Sequence, residues 1–277
     1  MNLRSLLFVP GDRPDRFEKA VASGADAVIL DLEDSVAPER KADARAAVGR
    51  YLTAPADPVR LVRINALAAG FVEADLAVAS RADAIMLPKA EGAASIVALA
   101  SRLSPGAKLL PIATETPAAI FALGTYREVA DSLCGLTWGA EDLPAAIGAA
   151  TSRELGGGYT APYEMARALT LFGAHAAGVP AIETVYPDLN DAEGLARYAA
   201  RGARDGFTGM LALHPAQVPV INAAFSPTEA QIAEARAIVQ AFAAAPGAGV
   251  LRIDGVMVDA PHLARARRLL ARAGVTA

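Results

Sequence analysis

Short, uninterrupted apolar runs recur along the chain and alternate with longer stretches in which apolar and polar residues are mixed. The runs cover residues 4–10, 26–34, 59–65, 83–90, 109–115, 135–142, 181–187 and 207–215. Apolar runs of this length, bounded by turn residues, are typical of strands that are buried on both faces. Several intervening stretches begin at a proline and have helical periodicity, as in residues 14–23 and 38–51. The alternation predicts βα units and a parallel sheet.

Eight such units within 277 residues predict an α/β fold of the (β/α)8 TIM-barrel type, which typically needs about 250 residues. A doubly wound open sheet is the main alternative. Its dinucleotide-type glycine fingerprint is missing from the first strand–helix turn, residues 10–14. Residues 228–244 are expected to form the helix that closes the barrel. We therefore expect a catalytic barrel domain at residues 1–245 and a C-terminal arm or lid at residues 246–277.

Charged and polar side chains collect at the carboxyl ends of the predicted strands, whereas the amino ends carry few charges. The set is Asp12, Arg13, Asp31, Glu33, Asp34, Arg63, Asn65, Lys89, Glu91, Glu115, Glu141, Asp142, Asp188 and His214. In TIM barrels the active site lies at the carboxyl ends of the strands. A purely structural ring of ion pairs is the alternative, because such networks also cluster charges.

Composition narrows the functional class. The chain is 53% hydrophobic with a formal net charge of −4, and it has no basic run, which argues against a nucleic-acid partner. The apolar run at the N-terminus is too short to span a membrane and lacks a signal-peptide cleavage region, so we expect a soluble, cytoplasmic protein. The single cysteine, Cys134, excludes an internal disulfide bond and a cysteine-based zinc site.

The strand-end acids indicate a magnesium site. Zinc prefers His and Cys ligands, whereas two or three carboxylates with open coordination positions suit Mg²⁺. We expect Glu115 and Asp142, at the ends of adjacent strands, to be the metal ligands. Glu33 and Asp34 are expected to lie just outside them and to hold metal-bound waters. The guanidinium of Arg63 suits a substrate carboxylate or a developing enolate.

Lys89 offers a rival mechanism. Of the four lysines of the chain, it alone follows a predicted strand at its carboxyl end, where an aldolase would carry its Schiff-base lysine. An ion pair with Glu91 or Glu115 is the structural alternative. The many acids nearby argue against a Schiff base, because they keep the amine protonated and therefore poorly nucleophilic.

Several motifs together resemble the citrate lyase beta-subunit-like family of CoA-ester lyases, within the aldolase/citrate lyase superfamily that includes malyl-CoA and citramalyl-CoA lyases. They are RSLLFVPGDRPDRFEKA, DAVILDLEDSVAPERKADAR, VRIN, IMLPKAE, IATETP, LTWGAEDL and HPAQV. They occur in the order of the family and cover nearly the whole chain. The resemblance implies a Mg²⁺-dependent barrel that cleaves or forms a carbon–carbon bond beside a thioester.

The resemblance also implies roles for individual residues. Glu115 and Asp142 match the metal ligands, and Arg63 matches the residue that orients the substrate and stabilises the enolate. Three positions match residues that hold coenzyme A, namely Phe8, Arg13 and Lys19. Asp259 matches the acid–base aspartate that the C-terminal arm carries in malyl-CoA lyase-like members. A homo-oligomer, a trimer or hexamer, is implied as well.

The predicted function is cleavage of a 3-hydroxyacyl-CoA thioester, of the malyl-CoA, citramalyl-CoA or citryl type, to a 2-oxo acid and an acyl-CoA. Three alternatives stay open: a class II pyruvate-type aldolase that does not use CoA, a citrate lyase beta subunit active only in a complex, and a non-catalytic CoA-ester binding subunit. Asp259 is predicted to reach the barrel of a neighbouring subunit. The alternative is that it only caps the helix beginning near Pro261.

Overall fold

The computed structural model describes residues 3–53 and 58–275, and within these ranges the predicted parallel sheet is present. Its eight strands are β1 Ser5–Pro10, β2 Ala27–Asp31, β3 Val59–Arg63, β4 Ala84–Leu87, β5 Leu109–Pro111, β6 Leu136–Thr137, β7 Ala181–Glu183 and β8 Gly209–Ala212. Each lies inside one of the apolar runs. The strands are shorter than the runs, because the polar residues that end each run lie in the loops that follow.

The sheet curls into a nearly closed barrel. The order of hydrogen-bonded neighbours is β5-β4-β3-β2-β1-β8-β7-β6, and all the pairings are parallel. The two edge strands are joined by isolated bridges, Leu109 with Leu133 and Ile112 with Thr137. The Ala113 N–H donates to the Thr137 carbonyl at 2.9 Å. The prediction of a (β/α)8 barrel is therefore confirmed.

Helices follow the strands. The α-helices are α1 Phe17–Val21, α2 Lys41–Tyr51, α3 Val72–Ala79, α4 Gly92–Ala100, α5 Pro117–Ala122, α6 Asp142–Ile147, α7 Ala161–Ala177, α8 Ala192–Asp205, α9 Val218–Phe225, α10 Glu229–Ala244 and α11 Ala260–Arg272. Short 3-10 helices cover Pro14–Arg16, Pro38–Arg40, Leu67–Ala69, Leu123–Ser132 and Pro215–Gln217. Proline occupies the first turn of several of them, where its missing N–H is not needed. No helix in the described ranges is long and apolar enough to cross a membrane.

The barrel interior is packed with aliphatic side chains from every part of the sheet. Leu6, Ile29, Leu61, Met86, Leu110, Ile182 and Leu211 form one buried cluster. Burial of each such side chain stabilises the fold by about 1.5–3 kcal/mol. Because the interior is filled, ligands can enter only at the ends of the strands.

The C-terminal part forms a second compact unit that begins at Ala223, after a first unit of Leu3–Asn222. In it, α10 and α11 pack through a small apolar cluster that includes Ile238 and Leu270. An antiparallel hairpin, β9 Val250–Ile253 and β10 Val256–Asp259, turns at Asp254 and Gly255. Both turn residues have positive φ, 48° and 83°, which Asp-Gly sequences favour.

The boundary between the two units differs from the predicted one. We expected the helix at residues 228–244 to belong to the barrel domain and the arm to start at residue 246. In the structure α10 packs against α11, so its apolar face is covered by the C-terminal helix. Contacts therefore assign α10 to the C-terminal unit and end the first unit at Asn222.

Candidate active site at the carboxyl ends of the barrel strands

The carboxyl ends of the strands surround a cavity of about 800 Å³ that lies within the first unit. Its lining includes Phe8, Asp31, Arg63, Glu115 and Asp142, from five different strands or the loops that follow them. Ligand pockets typically have volumes of roughly 300–1,000 Å³. Several of the strand-end residues predicted from the sequence thus meet at one site large enough for a substrate.

Arg63 is held by Asp31, a buried carboxylate that the sequence placed at a strand end without predicting its pairing with Arg63. Its Nε and Nη2 donate to the two oxygens of Asp31 at 2.7 and 2.6 Å, and the Asp31 side chain is 1% exposed. Burial alone would raise the pKa of Asp31, but the hydrogen bonds and charge of Arg63 hold the pKa below its ordinary value. The two residues face each other in the register of β2 and β3, which the sequence alone does not reveal.

Two more contacts complete the surroundings of Arg63. Its Cζ lies 4.8 Å from the centroid of the Phe8 ring, and its Nη1 lies 3.2 Å from Glu33 Oε2. A guanidinium held by an aromatic face and by planar carboxylate contacts has a fixed orientation. Arg63 therefore presents its positive charge to the cavity without having to reorganise.

Lys89 contacts three acids of the site. Its backbone N–H donates to Glu115 Oε2 at 2.6 Å, while its Nζ lies 3.0 Å from Glu33 Oε1 and 3.2 Å from Asp142 Oδ1. The ion pairs are with Glu33 and Asp142 and not, as the structural alternative had it, with Glu91 or Glu115. Burial alone would lower the pKa of Lys89, but the hydrogen bond and charge of Glu33, with Glu115 and Asp142, hold it above its ordinary value. The geometry therefore favours a protonated Lys89 over a Schiff-base amine.

Glu115 is a buried carboxyl group that lacks a full counter-charge. Its residue is 5% exposed, and burial raises the pKa of Glu115 to about 8. The charge of Asp142 adds to the rise, while the hydrogen bond from the Lys89 N–H opposes it. Burial also raises the pKa of Glu33, against the effects of Arg63 and Lys89. Both carboxyl groups therefore favour an additional cation nearby.

Gly139 allows the two predicted ligands to approach each other, and sequence reasoning missed it. A Cβ at Gly139 would lie 3.0 Å from Glu115 Cγ and 3.1 Å from Glu115 Oε1. The Thr114 hydroxyl accepts from the Gly139 N–H and donates to the Gly139 carbonyl, both at 3.1 Å. These bonds tie the loop after β6 to the end of β5. The signal in the sequence was Thr114 next to Glu115 in IATETP and Gly139 shortly before Asp142 in LTWGAEDL.

The donor set fits Mg²⁺ better than a metal held by protein ligands alone. Among the described residues, no three His, Cys, Asp or Glu side chains lie close enough to bind a metal by themselves. Magnesium typically binds one or two carboxylates and keeps several waters or substrate oxygens. Glu115 and Asp142 provide such a pair, and burial raises the pKa of Glu115 to about 8, a shift that a nearby cation would oppose.

The remaining predicted residues are placed as follows. Arg13 pairs with Asp15 at 2.8 Å and is largely exposed, and both Arg13 and Lys19 line the cavity. Asp34 is exposed, with Oδ2 3.9 Å from Arg63 Nη1. Asp259 belongs to the second unit, where it caps α11 and its Oδ1 lies 2.6 Å from His262 Nδ1.

A parallel barrel with charged side chains at the carboxyl ends of its strands is the arrangement of TIM-barrel enzymes. The chain belongs to the HpcH/HpaI aldolase/citrate lyase family, whose model matches residues 4–215. A citrate lyase subunit beta-like protein of Mycobacterium tuberculosis is 40% identical over 281 residues, which cover 99% of this chain and 98% of that protein. A (3S)-malyl-CoA thioesterase of Cereibacter sphaeroides is 36% identical over 281 residues, with coverages of 98% and 94%.

Solved structures agree with the sequence relatives. The crystal structure of CitE from Mycobacterium tuberculosis in complex with magnesium, acetoacetate and coenzyme A matches this chain with a TM-score of 0.84. The sequence identity is 36%, and the match covers 99% of this chain and 98% of the other. The predicted resemblance to citrate lyase beta-subunit-like enzymes is thereby confirmed.

The Asp31–Arg63 pair gives a pH-dependent prediction for stability. We expect Asp31→Asn to lower the free energy of unfolding at pH 7 by about 3 kcal/mol, because a buried guanidinium then loses its closest carboxylate and keeps only the longer contacts with Glu33 and Asp34. The folded-state pKa of Asp31 is depressed, so its contribution is complete above the unfolded value of about 3.9 and is lost as pH falls through the lower folded value. The difference between wild type and variant should therefore be constant from pH 8 to about pH 4 and shrink below it.

Urea unfolding followed by circular dichroism, at a series of pH values, measures this difference. Asp15→Asn is the control, since it removes an acid from an exposed pair with Arg13 and should change stability little at any pH. Equal stability of Asp31→Asn and wild type at pH 7 would contradict the prediction.

Proposed function

We propose that this chain is a Mg²⁺-dependent lyase that cleaves a 3-hydroxyacyl-CoA thioester to a 2-oxo acid and an acyl-CoA. The observation that carries the proposal is the meeting of Glu115 and Asp142, with Arg63 beside them, in one cavity that Arg13 and Lys19 also line. The M. tuberculosis relative whose crystal structure contains magnesium, acetoacetate and coenzyme A supports the same assignment.

Glu115 and Asp142 would hold the metal. The Lys89 N–H donates to Glu115 Oε2, and Lys89 Nζ lies 3.2 Å from Asp142 Oδ1, so Lys89 holds both carboxylates in place beside the cavity. When bound, Mg²⁺ would polarise substrate oxygens and stabilise negative charge that develops on them. Glu33 and Asp34 would then interact with its waters rather than with the ion itself.

Arg63 would bind the carboxylate or the oxyanion of the substrate. Its orientation is fixed by Asp31 and Phe8, so no reorganisation is needed while charge develops. In the reaction the bond between C2 and C3 of the acyl group breaks. The hydroxyl on C3 loses its proton and becomes the carbonyl of the 2-oxo acid, and the electron pair stays on the thioester enolate, which then takes up a proton.

Product analysis separates this proposal from its alternatives. The purified chain alone should convert a malyl- or citramalyl-type CoA ester to a 2-oxo acid and an acyl-CoA. Release of free CoA with the intact hydroxy acid would instead indicate a thioesterase, as in the Cereibacter relative. Cleavage of free 4-hydroxy-2-oxo acids would indicate a pyruvate-type aldolase, and no turnover without added subunits would indicate a complex-dependent beta subunit.

Removal of either proposed metal ligand should abolish both metal binding and turnover. We expect Glu115→Gln and Asp142→Asn each to lower kcat/KM at least about 100-fold and to weaken Mg²⁺ binding in calorimetry. EDTA should inactivate the wild type reversibly. Glu91→Gln is the control, because Glu91 also follows a barrel strand but its carboxylate accepts from Thr116 and lies outside the cavity lining. Unchanged Mg²⁺ affinity in Glu115→Gln would refute the ligand assignment.

Arg13 and Lys19 should bind the phosphates of coenzyme A. Reversal of both charges, Arg13→Glu with Lys19→Glu, should raise KM for the CoA ester about tenfold or more and change kcat much less. The control is Arg102→Glu with Lys108→Glu, which reverses two exposed charges on the segment that precedes β5, at the amino end of the barrel. Steady-state kinetics measure both pairs. An unaltered KM in the Arg13→Glu, Lys19→Glu double variant would contradict the proposed contact of these residues with CoA.

Asp259 is proposed to act as acid–base residue in the barrel of a neighbouring subunit, as the family resemblance implied. Mixing inactive Asp259→Ala with inactive Glu115→Ala and allowing subunits to exchange should restore part of the activity, because some mixed sites then contain both wild-type residues. Exchange is verified independently with labelled subunits. If exchange occurs and no activity returns, Asp259 does not act in a neighbouring barrel.

A further inference from the structure

Glu183, at the end of β7, is a fully buried carboxylate next to the site. It was not among the candidate residues chosen from the sequence. Glu183 is 0% exposed. Its Oε1 accepts from the indole N–H of Trp138 at 2.6 Å, from the Tyr198 hydroxyl at 2.9 Å and from the Thr184 N–H at 3.0 Å. Its Oε2 accepts from Arg167 Nε at 2.7 Å. One side chain thus connects β6, β7, α7 and α8.

Trp138 is the member of this network that reaches the proposed metal ligands. It is the residue before Gly139, whose N–H and carbonyl are both bound by the Thr114 hydroxyl at 3.1 Å. Thr114 precedes Glu115, and Asp142 follows Gly139 by three residues. The position of the segment from Trp138 to Gly139 therefore influences both carboxylates at once.

We infer that Glu183 is a positioning residue for the active site: it fixes the indole of Trp138, and through Trp138 and Gly139 it sets the separation of Glu115 and Asp142. The inference rests on the proposed function, because it assigns those two carboxylates to one site. Glu183 itself touches neither of them, so it acts through Trp138.

Energetics favour positioning over a general contribution to stability. Burying an ionised carboxylate with an arginine is often no more stabilising than an apolar pair of similar volume. The four hydrogen bonds that Glu183 accepts nevertheless restrict the groups that donate them to one arrangement. Trp138 also packs edge-to-face on Tyr159, with ring centroids 5.1 Å apart, so the indole is held by a ring contact as well as by the hydrogen bond.

Two variants remove one donor each from the same oxygen of Glu183. Trp138→Phe deletes the indole N–H next to the site, whereas Tyr198→Phe deletes a hydroxyl on α8, away from the site. Each loses one hydrogen bond to Glu183, Trp138→Phe also shortens a fully buried ring, and thermal unfolding measures how far each variant lowers Tm. Hydrogen exchange in the metal-free protein then reports on the peptides that contain Glu115 and residues 139–142.

In Trp138→Phe we expect the amides of those peptides to exchange about tenfold faster, and the Mg²⁺ dissociation constant to rise about 10- to 100-fold. Tyr198→Phe should change neither, even where its loss of Tm is comparable. Equal effects of the two variants, or unchanged exchange in Trp138→Phe, would overturn the inference and leave Glu183 a structural residue. Hydrogen exchange is measured without metal, so it tests the inference about Glu183 even if the wild type binds no Mg²⁺. Failure of the wild type to bind Mg²⁺ would contradict the proposed function alone.

Discussion

The mouth of the barrel contains more negative than positive charge among partly or fully buried side chains, and the rest of the site is built around this imbalance. Four carboxylates face two cations there: Asp31, Glu33, Glu115 and Asp142 against Arg63 and Lys89. Charges interact strongly where the dielectric constant is low, so each buried acid must be paired, protonated or bound to a cation. Asp31 is paired with Arg63, whereas Glu115 is left with a raised pKa. A divalent cation between Glu115 and Asp142 would balance the excess.

Much of this arrangement could be predicted because it depends on local patterns. A buried parallel strand needs an uninterrupted apolar run, and a TIM barrel places the residue after each run on one face of the protein. The barrel and the meeting of Arg63, Glu115 and Asp142 followed from these two rules. The ion-pair partners of Lys89 could not be predicted from these rules, because its long side chain can extend in several directions. Its ion pairs with Glu33 and Asp142 depend on a backbone with φ of 51°.

Other features could not be predicted because they depend on strand register or on packing between distant segments. Asp31 faces Arg63 only when β2 and β3 are aligned. Glu183 lies inside an apolar run, where a lone acid gives no sign of the three donors that reach it from other segments, Trp138, Arg167 and Tyr198. The assignment of α10 to the C-terminal unit depends on which surface covers its apolar face, and hydrophobic periodicity shows that such a face exists but not what packs against it.

Fixed charges also explain how one site could serve related thioesters. The strands fix the backbone, and buried polar contacts such as those of Glu183 and Thr114 fix the side chains and loops beyond it. Together these contacts determine where a substrate carboxylate and a developing oxyanion must lie. They would not determine the size of the acyl group of the proposed substrate, for which the cavity offers apolar lining such as Val185, Leu211 and Leu213. An apolar wall discriminates a single methylene group by only about 1–3 kcal/mol. Under the proposed function, this site would therefore discriminate between thioesters that differ by one methyl group by only about 10- to 200-fold.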